Sequence, residues 1–262
     1  GSHTGAVTVS GDDYTGAQLK TINAATSGEI TLSDRTVAIS GDATDLAVAL
    51  GGTFAAGASH TGAVTVSSTT DYTVTELKVI NAGTSGAITF SDTTVALSGD
   101  ATDLAIALAG TTNHSGAVTV SNAINIQGNT SEVTAALVTD ETKVVAASAT
   151  VEISNASTVA ELNALAPKAG VITGSIAATS LASLSDLATA GTDLITITVN
   201  DGEGDDLNAE TLSALGGKTA GTVTVTNAVA ITGTTAEVTA ALVTAGSLVV
   251  VSDANVTITD NP

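Results

Sequence analysis

Asn200, Asp201, Gly202, Glu203, Gly204, Asp205 and Asp206 place five oxygen-bearing side chains and two glycines in one short stretch of a 262-residue chain. Hard cations such as Ca2+ favour several carboxylate and carbonyl oxygens on a tightly turning backbone. Asp201, Glu203, Asp205 and Asp206 are therefore the candidate metal ligands, with Ca2+ as the candidate ion. A solvated acidic turn is the competing reading, because short acidic motifs often arise by chance. Most of the remaining acids belong to a different pattern. A Ser, Thr, Asp or Asn stands three residues before an acid or amide, and apolar residues follow three or four apart. The pattern recurs nine times, as Thr15/Gln18, Asp42/Asp45, Thr73/Glu76, Asp100/Asp103, Asn129/Glu132, Thr158/Glu161, Ser183/Asp186 and Thr234/Glu237, with a looser copy over 208–215. This is how a helix start is capped, so these acids are assigned to orphan backbone N–H groups and the helix dipole, not to acid/base chemistry.

The acidic stretch partly resembles an EF-hand loop in its alternation of Asp201, Glu203 and Asp205, but Asp206 stands where that loop needs Gly, and Leu212 where it needs an acid. Through Gly202, Gly204 and Asp206 it also partly resembles a glycine-rich repeat-in-toxin calcium motif, present in one copy. His3, His60 and His114 precede similar strands and, if stacked, would lie about 10 Å apart, too far to share a metal. No Gly-x-Ser-x-Gly elbow accompanies the many serines, and no phosphate-binding glycine loop occurs. The chain is accordingly expected not to be an enzyme. A carbohydrate-binding or carbohydrate-active β-helix is the alternative, although Tyr14, Tyr72, Phe54 and Phe90 occupy repeated or loop positions.

The elements that must position these residues follow from two periods. Val and Ile alternate with Thr in segments such as 6–10, 29–33, 63–67, 87–91, 117–121 and 222–226, which reads as strands with one buried face. Tyr14 and Tyr72, Leu19 and Leu77, Gly28 and Gly86, and Leu46 and Leu104 are all 58 residues apart, while 116–122 recurs 105 residues later at 221–227. The expected fold is one elongated, right-handed parallel β-solenoid over residues 1–262, with coils of one or two short strands and a short capped helix. Coils would begin near residues 5, 28, 62, 86, 116, 149, 171, 194, 221 and 248. One ladder would then join Val7, Ile30, Val64, Ile88, Val118, Val151, Ile195 and Val223. A doubly wound α/β sheet is the competing fold, and it would want longer helices and strands buried on both faces. Gly1, Ser2 and His3 read as a tag scar, though His60 sits in a similar string.

With 26 acidic against six basic residues the net charge is −20, which disfavours binding to nucleic acid or anionic membrane. No apolar run is long enough to span a membrane, and no signal peptide is visible. Cysteine is absent, so neither disulfides nor thiolate metal sites are expected. The strand-plus-capped-helix units at 171–188 and 221–242 resemble the repetitive tracts of giant, acidic, cysteine-free surface or secreted proteins of marine cyanobacteria and proteobacteria. That resemblance implies a structural or adhesive spacer, extracellular or at the cell surface and with calcium as a stabilising ion. Its expected partners are neighbouring repeats, a further copy end to end, and surface glycans. A lesser alternative is ice binding, since outward hydroxyls such as Thr8, Thr31, Thr65, Thr89 and Thr119 resemble the threonine ladders of ice-binding proteins.

Overall fold

The structure is a computed structural model that describes residues 3–68, 72–139, 142–244 and 246–260. Gly1 and Ser2 of the tag-like string lie outside these residues, whereas His3 belongs to the fold, its backbone bonding Ala25 and Ser27. The chain divides into two units, Gly1–Asn122 with Lys143–Val145, and Ala123–Thr142 with Ala146–Pro262.

Short helices form where the capping pattern places them. In the first unit these are α1 (Gly16–Ala25), α2 (Ala43–Leu50), α3 (Val74–Gly83) and α4 (Ala101–Leu108). The second unit holds α5 (Thr130–Leu137), α6 (Val159–Leu165), α7 (Leu181–Leu184), α8 (Ala209–Gly216) and α9 (Thr235–Leu242). Full reciprocal capping boxes close the starts of α1, α3, α5, α6 and α9. Each satisfies two N–H groups that a bare helix end would leave orphaned. The Ser183/Asp186 pair is displaced: α7 is capped by Ser180, so Ser183 lies inside the helix and Asp186 beyond its end. Helices this short are marginal alone and depend on burying Leu19, Leu46, Leu77 and Leu104, or Leu162, Leu184 and Leu212, against the strands.

The expected single solenoid stack is not what forms. Among the described residues the molecule is an α/β fold of nine α-helices and five separate parallel sheets. In the first unit β1 (Val7–Val9) pairs with β2 (Ile30–Leu32) alone. A new sheet joins β3 (Ile39–Gly41), β4 (Val64–Val66) and β5 (Ile88–Phe90). Another starts at β6 (Leu97–Gly99) and β7 (Val118–Val120). The chain then enters the second unit with β8 (Asn125–Gly128) and returns with β9 (Val144–Val145) to extend β7. In the second unit β10 (Thr150–Ser157), β11 (Val171–Ile176) and β12 (Leu194–Val199) continue from β8. The strands that follow are β13 (Asp206–Asn208), β14 (Val223–Val225), β15 (Val229–Gly233), β16 (Val249–Val251) and β17 (Ala254–Ile258). Of these, β14 and β16 complete a six-stranded sheet, and β13, β15 and β17 form a three-stranded one.

Pairing is parallel in every one of these sheets, as a strand returning after a helix requires. The expected ladder is nevertheless broken: Val7 meets Ile30 and Val64 meets Ile88, but Ile30 next bridges Phe54, and Val118 takes Leu97 and Val144. The corners cause the break. Asp34 and Asp92 accept hydrogen bonds from the backbone N–H groups of Thr36 and Thr94, at 2.8 and 2.9 Å, and such local bonds compete with a ladder. Strands of three residues cannot carry the pairing across that corner, so the next strand begins another sheet.

Candidate functional site

The acidic turn is built mostly from its own backbone and from the segment after β14. The Gly204 N–H donates to the Ala228 carbonyl at 2.7 Å, and the Ala230 N–H donates to the Asp205 carbonyl at 2.8 Å. Gly204 has φ of +81°, the left-handed region that glycine enters without strain. The Asp205 carboxylate accepts from the Gly202 N–H at 2.7 Å and closes the turn. Asp201 points elsewhere and accepts from the Leu181 N–H, at 2.7 Å, at the start of α7. Asp206 begins β13, and Glu203 is exposed at the tip. Among the described residues no group of three or more His, Asp or Glu side chains is arranged to hold a metal.

Asp201 belongs to a series that sequence reasoning missed. The first backbone N–H of a helix is taken by a side chain roughly one repeat further along the chain in five places. Ala43 donates to Ser68 Oγ, Ala101 to Asn122 Oδ1, Thr130 to Asn155 Oδ1, Leu181 to Asp201 Oδ2 and Thr235 to Asp260 Oδ1, at 2.7 to 2.9 Å. Backbone hydrogen bonding from Thr235 holds the Asp260 carboxyl below its ordinary range. The chemically different acceptors, serine, asparagine and aspartate, hide the series from any pattern of residue types.

Other polar groups tie successive repeats in the same fashion, and in duplicate. Tyr14 donates its hydroxyl to the Asp34 carbonyl and Tyr72 to the Asp92 carbonyl. Burial, helped by the nearby Asp92 charge, pushes the Tyr72 phenol up to about 12. Asn23 and Asn81 donate to the Val48 and Ile106 carbonyls. Lys20 pairs with Asp45, and Lys78 with Asp103, so these two acids serve the preceding helix rather than their own N-terminus. The 58-residue spacing marks the two pairs as equivalent, but not which acid meets which lysine. Glu76 accepts from Thr44 at 2.6 Å, and although burial opposes it, this bond and those from Thr73 hold its carboxyl below the ordinary range.

The histidines do not converge. His60 is fully buried, with Nε2–H donating to the Val37 carbonyl at 2.7 Å and Nδ1 3.0 Å from the Thr84 hydroxyl. Burial keeps its imidazole below the usual value, against the opposing pull of the Val37 carbonyl. His114 Nε2 bonds a different carbonyl, that of Val95. The aromatic rings that a sugar site would display are core residues: Tyr72 stacks on Phe90 with centroids 4.5 Å apart, and both are buried. Hydroxyl columns are short. Ser40, Thr65 and Thr89 are consecutive partners, with Thr65 and Thr89 hydroxyls 3.2 Å apart, and the sheet ends there.

No protein-family model, characterised protein or solved structure matches this chain. The repeated contacts therefore carry the functional reading on their own. Chemically, the arrangement satisfies backbone donors and acceptors of one repeat with groups of another. The acidic turn, the least repeated feature of the sequence, is joined to the same scheme through Asp201.

Proposed function

We propose that the chain is a structural spacer, a repeat segment of a large secreted or cell-surface protein, and not an enzyme. One observation carries this reading: five helix starts are capped by side chains supplied from further along the chain, so in five places one repeat completes the hydrogen bonding of another. A catalytic site concentrates perturbed groups in one place. Here four of the perturbed groups, Tyr14 and Tyr72 with Asp34 and Asp92, occur in equivalent pairs with equivalent partners, and the others, His60, Glu76 and Asp260, lie in different repeats. The acidic surface contributes solubility and repels other polyanions.

Two measurements test the proposal. Stretching single molecules from their ends should give successive unfolding events, and Asn155→Ala, which removes one of the ties, should lower the force of one of them. Glycan-array and glycoside-substrate screens of the purified chain should give neither saturable binding nor turnover. Saturable binding lost on substitution of one non-repeated residue would overturn the spacer reading.

A further inference from the structure

Residues 116–155 and 221–260 are copies of one another at a spacing of 105, matching Glu132 with Glu237, Leu137 with Leu242, Val151 with Val256 and Ile153 with Ile258. The copies fold alike: Thr130 bonds Asn155 through N and Oγ1 at 2.7 and 3.0 Å, and Thr235 bonds Asp260 through the same atoms at the same distances. They differ in what lies next to them. Strand β10 has β8 on one side and β11 on the other, whereas β17 pairs with β15 alone. Val151 and Ile153 are accordingly 1% and 6% exposed, but Val256 and Ile258 are 47% and 45% exposed. Strand β16 is likewise an edge, and Val250, 52% exposed, stands beside Thr224 of β14. Soluble proteins usually guard such edges with lysine, proline or a bulge, and neither β16 nor β17 contains a lysine or a proline.

The first unit has a matching unguarded edge. Strand β1 pairs with β2 alone, and its Val7 and Val9 are half-buried, while Val64 and Val66 of β4, seated between β3 and β5, are fully buried. Ile22 of α1 is half-buried, yet its counterpart Ile80 in α3 is fully buried. The α3 position is the one that α2 covers, with Thr44 bonded to Glu76. An open groove beside α1, lined by Val9, Tyr14, Ala17 and Ile22, marks the uncovered face.

We propose that copies of this chain associate head to tail, with β1 of one copy adding as a parallel strand to β17 of the next. The strand pairing would repeat what the chain already does internally, where β11 seats on β10, the counterpart of β17. It is heterologous, using a different surface on each copy, and such contacts extend into rings or filaments. The inference stands on the unequal burial of equivalent residues and does not depend on the spacer reading. The net charge of −20 opposes it, so association should strengthen with salt.

Sedimentation velocity tests this from about 1 to 100 µM, in dilute buffer and in 1 M NaCl, where the Debye length falls to about 3 Å. The weight-average mass should rise about two-fold or more with concentration in high salt. Val256→Lys with Ile258→Lys should leave a monomer, and so should Val7→Lys with Val9→Lys. An equimolar mixture of those two variants retains one good face of each kind and should form a dimer and nothing larger. Circular dichroism should match the unsubstituted chain. The milder pair Val256→Thr with Ile258→Thr, which preserves strand propensity, should weaken association several-fold if lysine disturbs the fold. A chain that stays monomeric in 1 M NaCl, as it would if only a following repeat of a longer protein covers this face, overturns the proposal. So does association that survives either lysine pair.

Discussion

His60 shows how a residue type that suggests chemistry is used for packing. Its ring is buried beside Tyr14, one nitrogen donates to a carbonyl and the other faces a hydroxyl, so the neutral form is the one accommodated. The folded protein therefore binds the imidazole proton less readily than the unfolded chain, whose ordinary value is 6.5. Stability from this group is complete above that value and is lost as pH falls through the folded one. Chemical denaturation should accordingly show wild-type stability falling between about pH 7 and pH 5, a window in which the lowered carboxylates remain ionised. In His60→Gln the decline over that window should be smaller, and equal slopes in the two proteins would refute the assignment. Asp201 makes the same point for an acid. Its type suggested a cation ligand, while its place in the fold makes it a helix cap.

Helices and strands differ in how much of them could be read in advance. A capping box is local, its partners lying three residues apart, and so the starts of α1, α3, α5, α6 and α9 were legible. For Thr158→Ala a loss of about 1 kcal/mol is expected. A double-mutant cycle with Glu161→Ala should give a non-zero coupling, because the two side chains satisfy reciprocal groups. Strand partners are non-local, and there the reading failed: alternation identified β4 and β5 but not that β3 would join them. Close backbone approach enforces part of that pairing. A Cβ added at Gly86 would overlap the Gly62 carbonyl oxygen, as one at Gly28 would overlap that of Gly5. Overpacking against rigid backbone typically costs about 1–3 kcal/mol, so Gly86→Ala should lower the denaturation midpoint accordingly. An unchanged midpoint would mean that this approach is not maintained in solution.

For the molecule as a whole, 26 acidic and six basic residues make self-repulsion a standing destabilising contribution. Raising NaCl from about 0.01 to 0.5 M should therefore raise the melting temperature of the chain, as the screening length shrinks from about 30 Å to a few ångströms. A fall would place the weight on the half-buried ion pairs, Lys20 with Asp45 and Lys78 with Asp103, which salt weakens. By itself the sequence determined the repeat periods, the helix starts other than that of α7, the strand segments, the parallel sense of pairing and the acidic character. These depend on local residue patterns, on the recurrence of those patterns along the chain, or on composition. Which strands share a sheet, that Asp45 and Asp103 serve the preceding helix, and that Ser68, Asn122, Asn155, Asp201 and Asp260 form one series were decided only by tertiary structure. Those contacts join residues 20 to 25 positions apart whose types differ, and geometry rather than residue identity selects them.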